Sequence, residues 1–124
     1  MKISPYLQFN GNCVEAIAFY EKAFGVKAEV YKEADLISHA ELDLGDGHIG
    51  LSDTPPGEGK SDLGNGGVSI SVLLESVKEV KDLFEELSKG GKISERPEAT
   101  DWCECFCTFY DKFGVNWSVM CCEK

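Results

Sequence analysis

The sequence predicts an α+β fold in which one β-α-β-β-β unit occurs twice, and three features of the chain carry that prediction. First, two segments half a chain apart, Asn12-Cys13-Val14-Glu15 and Ser76-Val77-Lys78-Glu79, each set an oxygen-bearing cap three residues before a glutamate. In that spacing the cap side chain accepts from the glutamate's backbone N–H while the carboxylate reaches back to the cap's own N–H. Second, each following run closes on glycine, at Gly25 and at Gly90-Gly91, where left-handed backbone ends a helix without a Cβ penalty. Third, period-two strand patterns flank both helices in the same order.

Taken in order, Ile3 to Phe9 reads as a short strand with Pro5 near its start, where a missing N–H does least harm. Asn10-Gly11 turns the chain into the first helix, whose Cys13, Ile17, Tyr20 and Phe24, with Ala16 and Ala23 beside them, form one buried stripe. Val26 to Lys32 is the next strand, and Ser38 to Leu44 and His48 to Asp53 form a hairpin about Asp46-Gly47, a strong two-residue turn signal. Residues 54–67 have the glycine and proline density of a connection. Val68 to Leu74 then gives a strand, and Ser76 to Lys89 a helix with Val77, Val80, Leu83, Phe84 and Leu87 on one side. Lys92 to Glu95, Trp102 to Tyr110 and Val115 to Cys122 complete the second unit, with Asp111-Lys112-Phe113-Gly114 turning the last pair. The expected organisation is a single domain over 1–124, made of unit 1–53, connection 54–67 and unit 68–124.

At 124 residues with 43% hydrophobic composition, the chain has material for one well-buried core. Twenty-two acidic against 12 basic side chains leave a net charge of −10, which repels nucleic-acid phosphates and anionic lipid. No apolar run approaches the roughly 20 residues that span a bilayer, and Met1-Lys2-Ile3-Ser4-Pro5 lacks the features of a signal peptide. A cytoplasmic location follows as the expectation, with neither nucleic acid nor membrane as partner.

The six cysteines are then expected as free thiols, because the compartment is reducing and the core needs no staple. Cys103, Cys105 and Cys107 alternate along one face of a strand, and C-x2-C spacing is absent. Small buried hydrophobes are the expected role there, with a metal–thiolate site involving Cys121 and Cys122 as the alternative. Cys13 lies at a helix start, where the dipole lowers a thiol pKa, but also on the apolar stripe.

One set of residues resembles a known family. Pro5-Tyr6-Leu7-x-Phe9-x-Gly11-Asn12, Glu15-Ala16-Ile17-x-Phe19-Tyr20, His39-Ala40-Glu41-Leu42, Gly90-Gly91-Lys92 and Asp111-x-Phe113-Gly114-Val115-x-Trp117 are similar to the PhnB-like branch of the vicinal oxygen chelate superfamily, which includes glyoxalase I, bleomycin-resistance proteins and extradiol dioxygenases. The resemblance covers essentially the whole chain. It implies a curved mixed sheet of the glyoxalase/bleomycin resistance fold, helices on its outer face, and two units enclosing a small-molecule cup. It also implies a homodimer, with halves exchangeable between protomers. Active members hold a divalent metal with His and Glu side chains. The corresponding positions here fall near Tyr6 or Gln8, Ser69 or Ser71, and Ser118, none a strong ligand for such a metal. No metal or other cofactor is therefore expected. No glycine-rich nucleotide loop supports methyl transfer, an activity label that some members carry.

Strand parity locates the polar wall of the cup. Across the Asp46-Gly47 turn, Leu44 is expected to face Ile49 and Leu42 to face Leu51, which leaves His39, Glu41, Asp43, His48, Gly50 and Ser52 on the opposite face. By the same alternation Trp102, Glu104, Phe106, Thr108 and Tyr110 share one face, and the last strand presents Asn116, Ser118 and Met120. The expected catalytic candidates are His39, Glu41 and Glu104. Glu41 lies beside His39, and an apolar setting around Glu104 would raise its pKa. Tyr6, Gln8, Trp102, Phe106, Thr108 and Ser118 are the substrate-binding candidates. Each has a plainer alternative: a structural histidine at 39, a solvated His48, an exposed strand charge at 104, core packing for Trp117. Three functional classes stay open: a metal-free small-molecule binding protein, an enzyme with a rebuilt acid–base site, and a structural or regulatory dimer.

Overall fold

The computed structural model describes residue 1, residues 3–54 and residues 68–122; most of the expected connection lies outside them. The chain divides into two compact units, Met1–Asp62 and Leu63–Lys124. The first holds β1 (Tyr6–Phe9), α1 (Cys13–Phe24), β2 (Glu29–Glu33), β3 (Leu36–Asp43) and β4 (His48–Asp53). The second holds β5 (Ile70–Leu73), α2 (Val77–Leu87), β6 (Lys92–Glu98), β7 (Cys105–Tyr110) and β8 (Asn116–Cys121). Each unit forms one four-stranded mixed sheet, ordered β1-β4-β3-β2 in the first and β5-β8-β7-β6 in the second. In both, the first strand runs parallel to the fourth and the remaining pairs are antiparallel. The duplicated β-α-β-β-β architecture is therefore present, with one helix against each sheet.

In the first unit α1 packs on β3 and β4, burying Cys13, Ala16, Ile17 and Tyr20 against Leu7, Phe9, Ile37, Ala40, Leu42, Ile49 and Leu51. In the second α2 packs on β6, β7 and β8 through Val80, Leu83, Phe84 and Leu87, and Phe84 meets Phe109 edge-on at 5.6 Å. Trp117 is fully buried, as its parity with Val115 and Val119 requires. Its Nε1–H donates to Oδ2 of buried Asp111 at 2.8 Å, while Asp111 Oδ1 accepts from the N–H groups of Phe113 and Val115.

The two helix starts differ from one another, which corrects one expectation. Ser76 caps α2 by accepting from Glu79 N–H at 3.1 Å, and Glu79 Oε1 accepts from Glu75 N–H at 3.0 Å. Asn12 makes no such bond; its Oδ1 accepts from Asn10 N–H instead. The acceptor for α1 comes from far along the chain: Asp53 Oδ1 accepts from Gly11 and Cys13 N–H, and Oδ2 from Ile37 N–H, all at 3.0 Å. One carboxylate thus ties β4 to the start of α1 and the start of β3.

The β3–β4 hairpin also departs from its expected register. Gly45-Asp46 forms the loop, with Leu44 N–H bonded to Gly47 C=O, so Leu42 pairs with Ile49 and Ala40 with Leu51. Gly45 supplies the left-handed conformation that this loop needs, at φ 97°. The shift is two residues, an even number, so every side chain keeps its expected face.

Cys103 and Cys122 are joined as a disulfide, which corrects the expectation of six free thiols. A bend at Thr100–Glu104 brings the start of β7 against the end of β8, and these two cysteines meet at the open end of that hairpin. Cys13, Cys105, Cys107 and Cys121 are free and buried on the helix-facing sides. No helix among the described residues is long and apolar enough to cross a membrane.

Candidate functional site

With one face of the first sheet covered by α1, the other remains open, and alternation along the strands decides what stands there. Tyr6 on β1 pairs with Gly50 on β4, Gly50 with Glu41 on β3, and Glu41 with Glu29 on β2. In the neighbouring row Gln8 pairs with Ser52, and His39 with Tyr31. The pairing of β2 and β3 slips at Tyr31/Lys32, a bulge that leaves Ser38 unpaired and able to donate from its hydroxyl to Tyr31 C=O at 3.1 Å.

Because Gly50 has no side chain, the Tyr6 ring lies across it and reaches His39 on the strand beyond. The Tyr6 hydroxyl bonds Nδ1 of His39 at 3.0 Å, and the two rings stack with centroids 5.7 Å apart. Tyr31 stacks on the other flank of His39 at 6.1 Å. The remaining ring nitrogen, Nε2, lies 3.8 Å from Glu41 Oε2. The tautomer protonated on Nε2 suits both neighbours: the phenol donates to Nδ1 and the imidazole N–H points at the carboxylate.

Beside this chain of groups is a pocket of about 570 Å³, lined by Tyr6, Gln8, Glu33, Ala34, Leu36, Ile37, Ser38, Ser52 and Asp53. The β2–β3 turn forms its rim, with Ala34 held in the left-handed region at φ 56°. Ser52, only 5% exposed, lines the pocket, and its hydroxyl has no hydrogen-bond partner among the described residues.

The sequence-predicted candidates thus divide between the units. Tyr6, Gln8, His39 and Glu41 share the open face of the first sheet, with Asp43, His48 and Ser52 alongside. On the second sheet, Thr108 stands opposite Ser118, Ser118 opposite Ser71, and Phe106 opposite Met120. Trp102 is 66% exposed and meets Phe106 edge-on. Phe106 also lines a smaller pocket of about 440 Å³ with Ser94, Glu95, Arg96, Glu98, Ala99 and Thr100.

Glu104 does not join that face. Strand β7 begins only at Cys105, and the bend before it turns the Glu104 carboxylate to the buried Cys121 thiol, which donates to Oε1 at 3.7 Å. Glu104 is exposed between buried Cys103 and Cys105, as the alternative of an exposed charge expects, one residue before the strand starts. Glu33 and Tyr31 were not singled out in the sequence; their role on this face depends on the β2–β3 bulge, which no local pattern signals.

The superfamily's divalent cation can be tested against these donors. The corresponding positions offer a phenol already bonded to His39, the amide of Gln8, and the hydroxyls of Ser69 or Ser71 and Ser118. Such oxygens are weak donors beside the His and Glu ligands that the resemblance implies. His39 and Glu41 add two stronger groups, yet no cluster of three His, Cys, Asp or Glu gathers among the described residues. The donor set does not fit that cation.

This fold and donor set place the chain in a class of paired β-α-β-β-β proteins with an open polar sheet face. Residues 2–119 match the Glyoxalase/Bleomycin resistance protein/Dioxygenase superfamily, and the chain belongs to it. It is 31% identical to Protein YjdN of Escherichia coli, over 96% of this chain and 94% of that one. Protein PA1353 from Pseudomonas aeruginosa is similar in structure, with a TM-score of 0.87 at 36% identity, covering 98% of this chain and 97% of its own. The PhnB protein from Bacillus cereus shares the fold at a TM-score of 0.77 and 24% identity, covering 98% and 99%.

Proposed function

We propose that this protein binds a small organic molecule in the pocket beside Tyr6, without the divalent-metal chemistry of the glyoxalase type. One observation carries the reading: a concave site of about 570 Å³ is lined by Ser52, a residue only 5% exposed whose hydroxyl has no hydrogen-bond partner among the described residues. Apolar walls with a few directed polar groups are what small-molecule sites use. Leu36, Ile37, Ala34 and the Tyr6 ring supply the walls, and Gln8, Ser38 and Ser52 the polar groups.

The test is a fragment screen by 1H–15N NMR on the whole chain. Hits are expected to move the Tyr6, Ser38 and Ser52 amides. A screen whose hits all map elsewhere would remove the pocket from consideration. Metal analysis of protein purified without chelator belongs beside it, and a stoichiometric divalent ion would overturn the metal-free part.

A second reading, an enzyme with a rebuilt acid–base site, is favoured by the Tyr6–His39–Glu41 chain of contacts. It assigns proton transfer to the Tyr6 hydroxyl, with His39 as its acceptor and Glu41 orienting the imidazole. Loss of turnover in both Tyr6→Phe and His39→Gln, for any substrate found, is its expected signature; undiminished turnover would sink it.

A further inference from the structure

Resting on the small-molecule reading above, we propose that the first unit's pocket takes an organic cation. The ligand carries an amidinium, guanidinium or ammonium group that lies against Glu33 and Ser52, and a flat body that lies along Tyr6.

The charge of the lining is one-sided. Among the described residues that line it, the carboxylates are Glu33 and Asp53, and there is no Lys, Arg or His. Asp53 is committed as an acceptor, since Gly11, Cys13 and Ile37 all donate to it, so its carboxylate is held in the wall. Glu33 is exposed and has neither ion pair nor hydrogen bond among the described residues. It is the charge that an incoming cation meets. Glu29, Glu41 and Asp43 stand exposed on β2 and β3 of the same sheet, and the whole chain carries −10. Their summed field raises the local concentration of cations and repels anions.

The second observation is independent of charge. Ser52 is only 5% exposed as a residue, lines the pocket and makes no side-chain hydrogen bond among the described residues. No side-chain oxygen or nitrogen among them is both buried and unpaired, so its hydroxyl is reached from solvent and is free to accept. A ligand N–H donor in the pocket supplies the hydrogen bond. Tyr6 adds an exposed aromatic face, which attracts a planar cation more strongly than a neutral body of the same shape. Ala34, at φ 56°, lies in the turn directly after Glu33.

Three probes of one shape and different charge test this on the full chain: benzamidine, benzamide and benzoate, each titrated by 1H–15N NMR. Benzamidine is expected to move the amides of Glu33, Ala34, Ser38 and Ser52, with benzamide weaker and benzoate inert. Glu33→Gln is expected to weaken benzamidine about three- to fivefold, the scale of one partly solvated charge pair, and to leave benzamide unchanged. Ser52→Ala is expected to weaken both probes that carry N–H donors, benzamidine and benzamide. Benzoate or benzamide matching benzamidine at these amides would overturn the cation class while leaving the pocket reading in place. No movement of these amides by any of the three would overturn both.

Discussion

The ring of Tyr6 lies directly on Gly50, its partner across β1 and β4: a Cβ built on Gly50 meets Cδ2 and Cε2 of the ring at 2.6 and 2.8 Å. The absence of a side chain at position 50 is what lets a tyrosine on the sheet's edge strand reach His39 two strands away.

Gly50→Ala is therefore expected to separate site from fold. Tyr6 is half-exposed and free to swing outward, so stability is expected to change by less than about 1 kcal/mol. The Tyr6–His39 bond is expected to be lost, which long-range 1H–15N spectra of the imidazole read as loss of a single tautomer. Unchanged His39 nitrogen shifts in Gly50→Ala would show that the tyrosine does not set the tautomer.

The unequal helix caps give a second prediction. Ser76→Ala removes the acceptor for Glu79 N–H and is expected to cost about 1 kcal/mol in urea unfolding. Asn12→Ala is expected to cost less than half as much, because Asp53 serves the start of α1. Asp53→Asn, which turns an amide N–H toward one of three backbone donors, is expected to cost about 1–3 kcal/mol. Equal losses for Ser76→Ala and Asn12→Ala would contradict the geometry.

In the second unit Asp111 and Trp117 act as a pair. Asp111→Asn leaves one oxygen for Phe113 and Val115 but sets an N–H donor against the indole N–H, at an expected cost of about 1–3 kcal/mol. Trp117→Phe deletes the indole donor and keeps most of the apolar volume. The double variant is expected to lose less than the sum of the singles, and strict additivity in a double-mutant cycle would deny the coupling.

The buried thiols impose a pH dependence whose sign is fixed. Burial first, and the Asp53 carboxylate second, push Cys13 from 9.0 up to about 12; burial pushes Cys107 up to about 11. In the unfolded chain these thiols lose their protons near 9.0, while in the folded protein they keep them. Above that pH the unfolded state binds fewer protons, so stability falls as pH rises, by up to about 1.4 kcal/mol per pH unit per thiol. The decline runs from about 9 to about 11 for Cys107 and on to about 12 for Cys13. Urea midpoints are expected to be flat below this window and to drop within it, less steeply in Cys13→Ala and Cys107→Ala. An identical alkaline slope in both variants would assign the loss to other groups.

Much of the architecture was legible because it is written in short periods. Cys105 and Cys107 fall under α2, and Phe106 and Thr108 opposite them, because a strand reverses its side chains at every residue. The open face of the first sheet survived even a wrong hairpin register, since a slip of two residues preserves parity. Glu104 keeps the alternation in burial, exposed between buried Cys103 and Cys105 as the plainer reading of a solvated charge expects, while its carboxylate, just ahead of β7, accepts from Cys121.

What the sequence determined by itself is the duplicated unit, the position of both helices, the buried stripe of each, and the polar row His39, Glu41 and Ser52. These depend on contacts between residues a few positions apart, which repeat along the chain and leave a pattern. Tertiary structure alone decided that Asp53 serves a helix start 40 residues earlier, that Cys103 pairs with Cys122, and that Tyr6 crosses Gly50 to reach His39. Each of these joins groups with no shared period. Their partners are chosen by which strands lie side by side, a property of the folded sheet that no local spacing encodes.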